Sequence, residues 1–380
     1  MSRGPNESLI GLPGSRSRLN TPALVLDLDV LHANIESLAE HARVHGYAVR
    51  PVAKVHKSVE IARRQIAAGG IGVCCATLAE CEAMVGAGIP GVMLFTSVVT
   101  GAKLERLAAL NARAEGLIVV ADDPANVVAL DSVAGRCGRA LQVLVDVEVG
   151  GRRTGIADED RIVALARLIA YAENLEYAGV QGYVGDHQNT VDYDLRRMRS
   201  RELLQPLVRV VQRLRAERLA PRIVSGGGTG THDFDHELGV LTELQPGTYA
   251  LMDVNYRDAQ MRRGDPHPFG AALSVHTTVI SNAQRGFAIT DAGVKEVDAI
   301  FGIDNPVILR GAPAGATYSL VGDDMGRIEF ADASDSLQPG DVVELMPPHC
   351  YQTLVLYPHY HVVQGDRLVD IWPVAARTSW

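Results

Sequence analysis

A chain of 380 residues is long for one domain, and 47% hydrophobic residues are ample for a sizeable core, so two domains are the natural expectation. A net charge of −9 argues against a nucleic-acid or anionic-membrane surface. No apolar run reaches membrane-spanning length and residues 1–18 are polar with no apolar signal core, which points to a soluble cytoplasmic protein. Five cysteines, with Cys74 and Cys75 in an apolar run, read as reduced buried thiols rather than a disulfide framework.

Residues 1–20 are rich in Gly, Ser, Pro and Arg and read as an extended N-terminal extension packing on a later β domain. A strand at 21–27 leads into a helix capped by Asp29, with Leu31, Ile35, Leu38 and Ala42 on one face. Alternation follows. Strands are expected at 47–52, 72–76, 92–95, 116–120, 141–147, 177–182, 222–225 and 243–245, with helices at 57–68, 78–87, 101–113, 124–136, 158–173 and 193–217. The strands are short, apolar and rarely alternating, as strands covered on both faces should be. About eight βα units over about 250 residues is the count of a TIM-type (β/α)8 barrel, here 21–268, with a doubly wound sheet as the alternative. After Gly270 the texture becomes alternating, at 273–280, 286–290, 317–321, 328–330, 342–346, 353–357 and 361–363, with Gly/Asp/Pro punctuation. That predicts an antiparallel β domain at 269–380.

Two stretches carry chemistry. In Arg50-Pro51-Val52-Ala53-Lys54-Val55-His56-Lys57, a lysine sits at the mouth of a strand just before a helix, the edge where parallel α/β folds bind ligands. Crowding by Arg50, His56 and Lys57 is expected to lower its pKa and free the amine as a nucleophile for an aldehyde; a solvated basic turn is the alternative. In Ser225-Gly226-Gly227-Gly228-Thr229-Gly230-Thr231, a strand runs into four glycines and three hydroxyls, whose bare N–H groups can wrap a dianion. A strand-end lysine plus a late phosphate cradle suggests a phosphorylated aldehyde held as a Schiff base, and pyridoxal 5′-phosphate (PLP) fits both.

The segment Arg50-Pro51-x-Ala53-Lys54-x-His56-Lys57 resembles the cofactor-lysine segment of the D-threonine aldolase / D-3-hydroxyaspartate aldolase / D-serine dehydratase family, among the alanine-racemase-like PLP enzymes of fold type III. Thr21-Pro22-Ala23, Gly150–Gly155, Ser225–Thr231, Gln245–Asp253 and Pro347–Cys350 resemble further motifs of that family, in order along the chain. The resemblance implies a PLP-bearing barrel, a C-terminal β domain and a homodimer. It implies that Lys54 bonds the cofactor, that Arg50 and Arg153 lie near its ring or phenolic oxygen, and that Ser225, Gly227, Gly228, Thr229 and Gly230 hold the phosphate with Tyr249 close by; Tyr183 either contacts the ring or packs at the barrel mouth.

Two positions depart from the family pattern. The aldolases hold a divalent metal (Mn, Mg or Zn) with a His and a carboxylate two residues later; here the order is His349-Cys350-Tyr351, and a neutral phenol is a poor ligand for such an ion. His359 and His361 share a strand face and are a possible substitute, though a satisfied surface pair is the better expectation. The aldolases also carry a His where Asn189 stands, with His187 two residues earlier. The expected activity is retro-aldol cleavage of D-β-hydroxy-α-amino acids, with Lys54, His187, His349 and Tyr351 catalytic. A racemase or epimerase, or a D-hydroxyamino-acid dehydratase, is the alternative.

Overall fold

The computed structural model describes residues 4–299 and 305–377. It divides into two compact units, one comprising 36–247 with 259–268, the other 4–35 with 248–258 and the described residues of 269–377.

The first strand, β1 (Ala23–Asp27), which the sequence reading placed at the head of the barrel, is seated in the sheet of the second unit: it pairs antiparallel with Leu273–His276 and parallel with His361–Val363. Four of its five residues are fully buried, which suits an interior strand there as well as in a barrel, so periodicity alone could not decide between the two.

The barrel unit holds β2 (Ala48–Val49), β3 (Cys74–Cys75), β4 (Met93–Leu94), β5 (Ile118–Ala121), β6 (Leu141–Asp146), β7 (Leu175–Gly182), β8 (Ile223–Gly226) and β9 (Glu243–Leu244). All eight expected strands are present. They pair in parallel in the order β2-β9-β8-β7-β6-β5-β4-β3, and the parallel bridge between Val52 and Cys74 brings the two ends together. The intervening helices start where their sequences direct. Thr77 and Glu80 form a reciprocal capping box, Asp123 caps a helix with Pro124 in its first turn, and Asp158 caps the next. The helix expected over 193–217 is two helices, Tyr193–Leu203 and Gln205–Ala216. Pro206 has no N–H to donate and clashes with the preceding turn, so it can stand only in the first turn of a new helix.

Two apolar layers build this unit. Cys74, Met93, Ile118, Val120, Leu144 and Ala178 form a small inner cluster, while Val119, Val143, Val145, Val180 and Val224 point outward into the larger core beneath the helices. Higher in the barrel the inner face turns polar. Asp146 accepts from Gln181, Gln181 from Gln245, and Gln245 donates to Ser225, whose hydroxyl donates to Glu243. Each of these groups is buried, and each has a partner, which is what makes a polar interior tolerable.

The second unit is a nine-stranded sheet, with β10 (Leu273–Ser281), β11 (Phe287–Thr290), β12 (Val307–Arg310), β13 (Thr317–Leu320), β14 (Gly326–Glu329), β15 (Val342–Met346), β16 (His359–Gln364) and β17 (Arg367–Pro373) joining β1. Except for β1 with β16, its pairings are antiparallel. Residues 4–20 lie along it: Arg16 N–H donates to Asp366 O, Ser15 Oγ accepts from Leu368 N, and the Arg16 guanidinium joins Asp27 and Glu344. The strand expected at 353–357 is replaced by a helix, Cys350–Leu354. Its first N–H is capped from afar by the buried carboxyl of Asp253, 3.1 Å from Cys350 N, a tertiary partner that local alternation could not reveal.

Candidate active site

Lys54 lies half-buried on the 3₁₀ turn Ala53–Val55 that follows β2, at the carboxyl end of the strand. The positive charges expected to crowd it are each neutralised. Arg50 is buried and bound through two hydrogen bonds of 2.9 Å to Glu243, and its Nη1 donates to the carbonyls of Ile71 and Gly91, which precede β3 and β4. Its head therefore lies at the amino ends of the strands, opposite to the cofactor-ring position inferred for it. Lys57 is ion-paired with Glu80. His56 accepts from Ser58 N at Nδ1 and meets Gln65 Oε1 at Nε2, and burial lowers its pKa to about 4, so it is neutral. Lys57 being committed to Glu80, Lys54 is the segment's candidate nucleophile.

The glycine loop follows β8. Gly227 has φ +64, the left-handed region, where a Cβ would also meet Asp235 Oδ2. A Cβ on Gly228 would sit 2.5 Å from Gln188 Oε1, and one on Gly230 would overlap the Gln188 carbonyl. Close approach, more than flexibility, is why this loop is glycine. Gly230 N–H donates to Gln188 Oε1 and Gly228 N–H to Thr231 Oγ1, while Thr231 and Ser200 both donate to the buried carboxyl of Asp235. Burial pushes Asp235 up to about 7. The Thr229 hydroxyl accepts from Gly247 N, and its carbonyl is 2.7 Å from His232 Nδ1. Since Arg262 Nε donates to His232 Nε2, the proton on that ring sits at Nδ1. Ser225, also expected at the phosphate, instead spends its hydroxyl on Glu243 inside the barrel.

The loop after β7 brings Tyr183 and Arg153 together, with the guanidinium carbon 5.6 Å from the ring centroid. Burial raises the Tyr183 pKa. His187 is 3% exposed, and neither ring nitrogen has a hydrogen-bond partner among the described residues. Burial, with Arg196 nearby, lowers its pKa to about 4. Gln188 was not singled out from sequence; only its place beside His187 in the family-like segment hinted at it.

In the second unit, Oδ2 of Asp298 lies 3.6 Å from Nδ1 of His349, both residues being buried. With its amide in the orientation that satisfies both ends, Gln352 donates to Asp298 at 2.9 Å. The Tyr351 ring stands edge-on to His349 at 5.4 Å. Burial lowers the His349 pKa while Asp298 opposes that shift. Sequence reading missed Asp298, which lies about fifty residues away on an aperiodic stretch. Tyr249 is buried with its ring 5.6 Å from Phe269. His361 is hydrogen-bonded to Asn6 and to the Leu24 carbonyl.

A family model for the alanine racemase N-terminal domain matches residues 26–254, and one for a serine dehydratase domain matches 272–363. The chain belongs to this alanine-racemase-like family of PLP enzymes. The 3-hydroxy-D-aspartate aldolase of Paracoccus denitrificans (strain Pd 1222) is 34% identical, covering 96% of this chain and 94% of the relative. The D-threonine aldolase of Arthrobacter sp is 35% identical, with 95% and 93% covered. Among solved structures, the D-threonine aldolase from Filomicrobium marinum superposes with a TM-score of 0.90 at 35% identity, covering 95% of this chain and 96% of that one.

The residues fit PLP. A strand-end lysine supplies an amine, and at the same end of the barrel stands a glycine loop whose Cβ positions are filled by neighbours, with the Gly228 and Gly230 N–H groups donated to Thr231 and Gln188. A divalent metal fits less well. His349 and Asp298 offer one imidazole and one carboxylate, Asp298 is already engaged by Gln352, and no three His, Cys, Asp or Glu side chains among the described residues converge as ligands.

Proposed function

We propose that the protein is a PLP-dependent carbon–carbon lyase that cleaves D-β-hydroxy-α-amino acids to glycine, or a related amino acid, and an aldehyde. The observation that carries this reading is the placement of Lys54 at the carboxyl end of β2 in the same barrel as the glycine loop after β8, in a chain related over nearly its full length to aldolases. When bound, PLP supplies the electron sink for negative charge at Cα. Lys54 holds the cofactor covalently, the glycine loop after β8 holds its phosphate, and Tyr183 with Arg153 borders its ring.

Cleavage needs a base for the β-hydroxyl proton and a group to polarise that oxygen. Of the two candidate imidazoles, His349 faces the buried Asp298 carboxylate at 3.6 Å, which favours its protonated form, so His349 is assigned the proton. The Tyr351 hydroxyl donates to the β-oxygen, and His187 lies on the loop bordering the cofactor ring. Because the His349 donor set is poor for a hard cation, no step is routed through a metal. The family resemblance also implies a homodimer, which gel filtration would show as about twice the chain mass of 40.8 kDa.

The test is incubation of the PLP-loaded protein with D-threonine in D₂O. Acetaldehyde release supports the lyase. Deuterium at Cα with inversion and no aldehyde would instead make it a racemase.

A further inference from the structure

We infer that the buried Lys57–Glu80 ion pair is a positioning device for Lys54, fixing the turn that carries it and balancing the charge beside it. The inference rests on reading Lys54 as the cofactor lysine.

The backbone supplies the first argument. Lys57 has φ +46, a left-handed conformation that residues with a Cβ rarely adopt and that persists only where surroundings hold it. Its N–H donates to Ala53 O at 2.7 Å, closing the turn on which Lys54 sits.

The side chain supplies the second. Lys57 Nζ meets Glu80 Oε1, with side-chain exposures of 9% and 2%. The other Glu80 oxygen accepts from Ala76 N at 2.7 Å and Thr77 N at 3.3 Å, where β3 passes into the helix Leu78–Gly86. The turn after β2 is thereby anchored to the start of the next βα unit. A buried ion pair is weak evidence for stability, because desolvation offsets its attraction; one placed three residues from the nucleophile, on a strained turn, is better explained by what it holds.

The pair is also neutral as a whole. Deleting one partner leaves a buried charge of one sign, and deleting the other leaves the opposite sign, at the same place. The other titratable groups around it are His56, kept neutral by burial, Cys75, whose thiol is raised by its hydrogen bond with Cys81 and by burial, Cys81 itself, and Glu60 at the head of the following helix. Arg50 is balanced by Glu243.

The experiment measures Lys54 reactivity in the cofactor-free protein by trace acetylation across pH, read by mass spectrometry. Glu80→Gln leaves the Lys57 cation and should lower the Lys54 midpoint by about one pH unit; Lys57→Met leaves the Glu80 anion and should raise it by about as much. The double variant and Lys57→Arg should both return close to wild type. Shifts in the same direction, or none, would overturn the inference. Should Glu80→Gln fail to fold, Lys57→Met against the double variant decides: a raised midpoint that the second change restores supports it, and an unchanged one refutes it. Because the readout is the amine itself, these outcomes are separate from whether Lys54 proves to bind PLP.

Discussion

Asp298 and His349 meet at 3.6 Å although they are 51 positions apart in the chain, 349 − 298, and they re-create beside this imidazole a carboxylate that the residue two positions later, Tyr351, does not supply. One carboxylate already hydrogen-bonded to an amide is a weak grip on a hard cation, which prefers several oxygen ligands. Isothermal titration with Mn²⁺ should find weak binding to the wild type and at least about tenfold tighter binding, about 1.4 kcal/mol, to Tyr351→Asp. Equal affinities would mean that position 351 is not beside the cation.

Gly228→Val should weaken PLP binding by about tenfold or more. The new side chain displaces Gln188 Oε1, the acceptor of the Gly230 N–H, and a lost hydrogen bond with its misplaced partner costs on the order of 1–3 kcal/mol. Equilibrium dialysis of PLP against the variant, with a melting curve to confirm folding, checks this. Unchanged affinity in a folded variant moves the phosphate elsewhere.

Acid should destabilise the fold within a defined window. Burial lowers His41, His56 and His187 to about 4 and His232 to about 3, so each folds neutral. Their contribution is complete above the ordinary histidine pKa near 6.5 and is lost as pH falls towards 4. Asp235 and Asp253, raised to about 7 by burial, act in the opposite sense: their contribution is complete below about 4 and lost as pH rises through 7. Four imidazoles against two carboxyls leave the unfolded chain binding more protons between pH 6.5 and 4. Tm should therefore drop across that interval; a flat or rising Tm would contradict the burial assigned to these rings.

The eight barrel strands were legible because each is a short apolar run between amphipathic helices, and Lys54 and the glycine loop because both stand at strand ends. What escaped was set by partners distant in sequence. β1 reads the same in either sheet. The helix Cys350–Leu354 depends on the Asp253 carboxyl. Arg50 and Ser225 looked like cofactor residues until Glu243, nearly two hundred and about twenty positions away, claimed both. Asp298, Glu80 and Gln188 carry no periodic or motif signal of their own; only the fold shows what they hold.

The central claim is tested most directly by benzaldehyde release from the two enantiomers of erythro- and threo-phenylserine, followed by its ultraviolet absorbance with PLP-loaded protein. The account predicts release from the D-amino acids, none from the L-amino acids, and none from either with Lys54→Ala. Release from the L-enantiomers, no release from any isomer, or undiminished release by Lys54→Ala would contradict it.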